Sequence, residues 1–476
     1  MKREERALLF TVFAAALLLD LCWRSYFFNF DGVACAIAVE LPDFRHLVHG
    51  NHLAYGMLAW AFDRAWRLLG YRGETLWTLQ VLDALLGAAG AAVFASILKR
   101  SGRGAREAAL AAAALAVSQA WWFWSLEAQV YMLGALFTAL AAREALAENP
   151  RPVVVGVWAA GAALGHVGHV MAVPALLWIL PRRRGAAKAF LTTYSGVLIA
   201  AYLAAGVCAV RPQNFNDVRL WLLGSAALNV ARSFSWHAAA PLDALAAWSR
   251  MTLRVFCDFD AASGALKAAG VLLALLPLAA AARAARRGDR AARFWLIWLA
   301  GYAALYLTWE PFTVVYRVSD LLGLWALATM GLEALPPATR VAALAAWVAV
   351  AAPYNWVTQI RPNADPAGNA DYVSALRAAE GTPEDAWIVV IGRDQVYVPY
   401  FARRRPLNLR YLPDEAALDA RLDVLAALGQ NVYVTERALD ESGRRGEFVR
   451  YGLEPRAAGL FRVRRAASPK ATAGKN

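Results

Sequence analysis

The densest group of chemistry-bearing side chains lies in DGVACAIAVELPDFRHLVHGNHLAY, residues 31–55. It carries the carboxylates Asp31, Glu40 and Asp43 and three of the six histidines, His46, His49 and His52. A carboxylate here can take a proton from a hydroxyl or amine, and the imidazoles can donate hydrogen bonds to an anion. A second histidine pair, His166 and His169, falls in GHVGH. Glu127 follows the aromatic run WWFWS, Glu310 sits in TWEP, and Arg317 lies shortly beyond it.

Each group also has a plainer reading. Asp31 could cap a helix. Glu127 could be a favourable charge at a helix start. Glu40 could pair with Arg45, and Arg317 with Glu310 or Asp320. The histidine spacings in HLVHGNH and HVGH can put two rings on one helix face. The carboxylate register of a zinc motif such as HExxH is missing. The histidines are therefore read as groups that position phosphate or sugar. No cofactor is expected, with a divalent metal as the alternative.

The elements that must hold these residues are membrane helices. Only 18% of the 476 residues are charged and 59% are hydrophobic. A soluble chain carries about 25% charged residues. Apolar runs recur at close to the roughly 20 residues that cross a bilayer as a helix. A β-barrel would show short alternating strands instead. The net charge of +13 sits in short clusters between apolar runs. That is the positive-inside pattern of cytoplasmic loops, not a nucleic-acid footprint. Four cysteines lack CxxC spacing, and a Cys35–Cys257 disulfide is left open.

Charge parity sets the expected topology. KREER keeps the N-terminus cytoplasmic, and about Ala7 to Trp23 is an uncleaved first span. Residues 31–70 are then the first extracytoplasmic loop, with 52–69 as an interfacial helix. WWFWS reads as an interface belt. Residues 152–180 are too long for one untilted span and short for two, so one span or a two-helix hairpin is open. Two short helices meeting near GHVGH would satisfy the charges at both ends and imply an outward-facing polar cavity. Residues 211–264 form a second extracytoplasmic loop containing Arg232, Trp236 and His237. The count comes to about eleven spans by the length rule. Residues 1–357 are thus a polytopic α-helical membrane domain. Residues 358–476 are a small soluble extracytoplasmic α/β domain with strands near 386–392 and 431–436, a helix over 414–429 and a disordered tail. Under this parity Asp31, Glu40, His46, His49, His52, Glu127, His166, His169, Glu310 and Arg317 share the outer side. Intramembrane and membrane-edge charges are functional candidates by default.

Several segments together resemble a known family: FDGVACAIAVE and HGNHLAYG, EAQVY opening a span, GAALGHVGHVMAVPALL, and WEPFTVVYR. They are similar to the GT-C-fold membrane glycosyltransferases, the superfamily of protein O-mannosyltransferases and aminoarabinose transferases, over roughly residues 1–356. The resemblance implies a GT-C fold in the cell (inner) membrane and transfer of a sugar from a polyprenyl-phosphate donor to an extracytoplasmic acceptor, usually with inversion. It implies Asp31 as the base and Glu127 as a second acidic residue. It places His166, His169 and Arg317 toward the donor phosphate. Many relatives carry a DE or DD pair in the first loop, whereas here Gly32 follows Asp31. The alternatives are a lipid or solute transporter, which would be expected to show internal repeats, and an envelope-assembly scaffold.

Overall fold

The computed structural model describes residues 3–41, 44–181, 185–222, 240–260, 262–412, 414–449, 451–456 and 459–464. Asp43, Arg182, Arg183, Arg184, Arg232, Trp236, His237 and the C-terminal tail fall outside the described residues. The chain divides into two compact units. One comprises Met1–Ser25 and Ala38–Ala364, and the other Tyr26–Ile37 and Asp365–Asn476.

The first unit is helical. Its helices are α1 (Arg3–Leu21), α2 (Phe30–Glu40, which begins in the second unit), α3 (Leu53–Leu68), α4 (Thr75–Arg100), α5 (Ala105–Val117), α6 (Gln119–Ser125), α7 (Tyr131–Ala145) and α8 (Pro152–Gly165). There follow α9 (Val173–Ile179), α10 (Ala186–Ala205), α11 (Phe215–Leu222), α12 (Pro241–Arg254), α13 (Gly264–Arg287), α14 (Arg290–Trp309), α15 (Val318–Gly331) and α16 (Pro337–Asn355). Four described helical runs are long and apolar enough to cross a membrane: Thr75–Arg100, Ala186–Val210, Gly264–Arg287 and Pro337–Asn363. Pro152–Gly165 and Val167–Ile179 are shorter apolar helices.

Small residues let these helices close up. A Cβ on Gly165 would lie 2.9 Å from the Gly134 nitrogen, so α8 and α7 touch through their backbones. Between α13 and α14, Gly288 takes a left-handed φ of +66° and Asp289 caps the next helix by accepting the Ala292 amide at 2.8 Å. That pairing reverses the chain in two residues.

WWFWS departs from the expected interface belt. Ser118 is extended and breaks the helix, and α6 turns into the protein. Trp121, Trp122, Phe123 and Trp124 are all buried. The amides released by the break are satisfied, since Gln119 and Ala120 donate to the carbonyls of Phe256 and Val255 at 3.0 and 3.1 Å. The Trp121 indole donates to the Gly87 carbonyl at 3.2 Å. Aromatic bulk here fills a packed interior, with backbone partners that a lipid interface does not supply. None of the four cysteines forms a disulfide.

The second unit contains α17 (Ala370–Gly381), α18 (Asp394–Tyr397), α19 (Glu415–Ala427) and α20 (Glu436–Glu441). Its five-stranded sheet has the order β2-β1-β3-β5-β4. The strands are β1 (Trp387–Val390), β2 (Arg405–Asn408), β3 (Val432–Thr435), β4 (Leu453–Pro455) and β5 (Leu460–Val463). β1 runs parallel to β2 and β3, and β5 antiparallel to β3 and β4. Alternate side chains feed two cores. Val389 and Val434 pack with Leu418 and Leu422 of α19, while Ile388 and Val390 pack with Val398 and Ala378. A parallel strand covered on both faces needs such a continuous apolar run.

Candidate active site

The two histidine motifs of the first unit are joined through backbone. α8 ends because His166 is extended, with φ −159° and ψ 127°. The next amide, Val167, donates to the Asn51 carbonyl at 2.8 Å. The His166 Nδ1 accepts the Gly168 amide at 3.2 Å. His49 repeats that device, its Nδ1 accepting the Asn51 amide at 3.1 Å. In a neutral imidazole an accepting Nδ1 leaves the proton on Nε2. His49 and His166 therefore each present an Nε2–H donor.

His49 and His52 stack at 4.2 Å, 9° from coplanar. Burial lowers the His49 imidazole below its ordinary value, and burial with the neighbouring His49 and His166 lowers His52 well below its own. Burial therefore favours the neutral form of both rings. The turn carrying them is anchored, with Tyr202 of α10 donating to the Gly50 carbonyl at 2.6 Å and the Trp221 indole of α11 donating to the Val48 carbonyl at 2.9 Å.

His166 sits in an aromatic box, 5.0 Å from the Tyr131 ring and 6.2 Å from that of Tyr316. His169 points elsewhere. Its Nδ1 meets the Tyr302 hydroxyl at 2.8 Å and Ser319 Oγ at 3.3 Å. Its Nε2 is buried against Gly134.

Glu127 is 1% exposed and lies in the irregular segment before α7 rather than at the start of that helix. The segment is held open by a carboxylate, because Asp83 of α4 accepts the Gln129 amide at 2.9 Å. Asp83 also accepts from the Tyr55 hydroxyl. Glu127 accepts from Ser25 Oγ, and the Ser25 carbonyl accepts from Gln80 at 2.8 Å. Sequence reasoning passed over Asp83, although a lone carboxylate inside an apolar span was the signal for it.

The remaining candidates are dispersed. Arg317 is 2% exposed, ion-pairs with Asp320, and donates to the Trp248 carbonyl at 3.2 Å and to Thr252 Oγ1 at 2.8 Å. Glu310 follows the end of α14 and accepts from Thr313 at 3.1 Å. Glu40 closes α2, and His46 is exposed in the turn Phe44–His46. Asp31 is exposed in the first turn of α2 and belongs to the second unit. The capping role falls to Asn29, whose Oδ1 accepts the Asp31 amide at 2.9 Å. No group of three or more His, Cys, Asp or Glu suited to a metal ion occurs among the described residues.

No family model and no curated protein sequence matches the chain. Solved structures do. ArnT from Cupriavidus metallidurans bound to undecaprenyl phosphate is similar over 96% of this chain and 97% of its own, with a TM-score of 0.62 at 14% identity. The Archaeoglobus fulgidus oligosaccharyltransferase in complex with Zn and sulfate is similar over 92% of this chain and 69% of its own, with a TM-score of 0.56 at 14% identity. The same oligosaccharyltransferase tethered to an acceptor peptide containing the NVT sequon gives 0.57 at 14% identity, over 93% of this chain and 70% of its own. By architecture, helical unit and C-terminal α/β unit together, the chain has the GT-C fold of the membrane glycosyltransferases its sequence resembles.

Proposed function

We propose that the chain is a membrane glycosyltransferase that moves a sugar from a polyprenyl-phosphate donor to an acceptor on the outer face of the cell membrane. The observation that carries the reading is likeness along nearly the whole of both chains to a protein bound to undecaprenyl phosphate.

In this reaction Asp31 takes the proton of an acceptor hydroxyl or amine as that atom bonds to the anomeric carbon. The bond from that carbon to the phosphate oxygen breaks, and polyprenyl phosphate leaves with the electron pair. Attack from the face opposite the leaving group inverts the anomeric centre. Asp31 suits a base because it is solvent-exposed in the first turn of α2, where an acceptor can reach it. The Nε2–H groups of His49 and His166 are donors for the charge that grows on the departing phosphate. His52 and His169 hold the two motifs in shape. Glu127, fixed by Ser25, is assigned to the acceptor or sugar hydroxyls. Glu40, His46, Glu310 and Arg317 are further donor-side candidates. Arg317 has the strongest competing role, since its three nitrogens already meet Asp320, Trp248 and Thr252.

The test is transfer by the purified protein, with donor and acceptor classes taken from mass spectrometry of envelope glycans and glycoproteins in a deletion strain. Asp31→Asn should abolish transfer, and Glu384→Gln, at an exposed acid, should not. Equal activity of Asp31→Asn and Glu384→Gln sinks the assignment of the base.

A further inference from the structure

The residues just before Asp31 belong to the second unit and are gripped by its C-terminal part. Asn369 caps α17 by accepting the Tyr372 amide at 3.0 Å through Oδ1. That bond fixes the orientation of the amide, so Nδ2 donates to the carbonyls of Tyr26 and Phe27 at 2.7 and 2.9 Å. From α18, the Tyr397 hydroxyl meets the carbonyls of Phe28 and, at 3.2 Å, Phe27. Three consecutive carbonyls are thereby committed to two side chains.

The grip holds an unusual backbone. Phe28 has φ +48°, a left-handed conformation that a bulky residue rarely adopts. Its ring is 1% exposed, packed edge-on to Tyr26 and Tyr372 at 5.5 and 5.2 Å and tilted 5.1 Å from Phe401. Strain of this kind persists only where the surroundings over-determine it, and it clusters at functional sites. The reversal at Phe28 delivers Asn29 to cap α2. The Asp31 amide bonds the Asn29 side chain, and the Val33 amide bonds the Asn29 carbonyl at 3.0 Å. The start of α2, and with it Asp31, is therefore set from the C-terminal unit.

We propose that Asn369 and Tyr397 are positioning residues for Asp31, and that the C-terminal unit serves to fix the acceptor-activating carboxylate. This rests on the reading of Asp31 as the base. Displacing a reacting group by about an ångström costs on the order of a hundredfold in rate. A carboxylate on an untethered loop would pay that cost.

The experiment uses the full-length protein in detergent. The probes are undecaprenyl phosphate carrying radiolabelled hexose or pentose for transfer, and undecaprenyl phosphate alone for binding. Asn369→Asp keeps the helix cap and removes both donated bonds, while Tyr397→Phe keeps the ring and removes the hydroxyl. Each should lower kcat roughly tenfold to a hundredfold. Undecaprenyl phosphate binding should stay within about twofold, and amide exchange across residues 28–33 should quicken. Tyr397→Phe carries the test if Asn369→Asp fails to fold. Quickened exchange with kcat unchanged overturns the proposal, as does loss of undecaprenyl phosphate binding in step with kcat. Full activity of Asp31→Asn overturns the base reading itself, whatever the two clasp variants do, so the two failures are separable.

Discussion

The Val167 amide donates to the Asn51 carbonyl at 2.8 Å, making one body of two histidine motifs far apart in the sequence. The bond forms where α8 gives up its own hydrogen-bond ladder. An amide released inside an apolar bundle must find a partner. The first loop supplies that partner, and on either side of the bond a ring is oriented by a backbone amide, His166 by Gly168 and His49 by Asn51.

Gly134→Ala tests how closely His169 is packed. Alanine in a helix gains about 1 kcal/mol over glycine. The added Cβ, however, would collide with the His169 ring at Nε2. Overpacking costs about 1–3 kcal/mol, so the loss should win. The variant should melt at lower temperature in detergent, whereas Gly196→Ala, with nothing within 4 Å of its Cβ, should not. A melting curve of Gly134→Ala at or above that of the wild type would show that His169 yields freely.

Glu127→Gln keeps the shape of the side chain and removes its charge. Transfer should fall on the order of 10²-fold if the carboxylate handles a proton or a developing charge. Ser25→Ala removes only the neutral donor to Glu127 and should cost roughly tenfold or less. Initial rates at saturating donor read both. A larger loss in Ser25→Ala than in Glu127→Gln would make Glu127 a scaffold residue.

Arg317 and Asp320 form a pair in which both side chains are 2% exposed. Removing one member of such a pair strands the other charge, at about 3–5 kcal/mol. Arg317→Ala should lower the melting midpoint strongly, and Arg317→Met with Asp320→Leu should recover much of the loss. The paired apolar variant also separates bracing from phosphate binding. If it retains transfer, Arg317 is a brace between α12 and α15. If it is stable but no longer binds undecaprenyl phosphate, Arg317 serves the donor.

What could be read in the sequence followed from period and punctuation. AWIVVIG and NVYVTE contain β1 and β3, and the helix of 414–429 is observed over Glu415–Ala427. The break near GHVGH was legible because 152–180 suits neither one span nor two. Two features were not legible, for different reasons. WWFWS has the composition of a belt, and only the carbonyls of Val255 and Phe256, distant in sequence, turn it inward. The grip on residues 26–28 depends on Asn369 and Tyr397, which no local pattern links to the first loop. Asp83 is legible as the single acid in the apolar run Thr75–Arg100.

Asp394 gives the second unit a pH-dependent stability. It is 3% exposed, and burial pushes its carboxyl up to about 6 from an ordinary 3.8, against the opposing pull of Arg437. Asp371 and Glu441 raise it further, and Arg437 bonds both Asp371 and Asp394. A carboxyl with a raised folded-state value binds its proton more tightly in the folded form than in the unfolded chain. Its stabilising contribution is complete below pH 3.8 and is lost as pH rises through about 6. Amide exchange of β1 and β3 in the full-length protein, corrected for intrinsic rates, should therefore be slower at pH 5 than at pH 7. Asp394→Asn cannot ionise and should flatten that difference while keeping an acceptor for Arg437. If wild type and Asp394→Asn show the same pH dependence, the carboxyl is already ionised at pH 5, and the Arg437 pairing outweighs its burial.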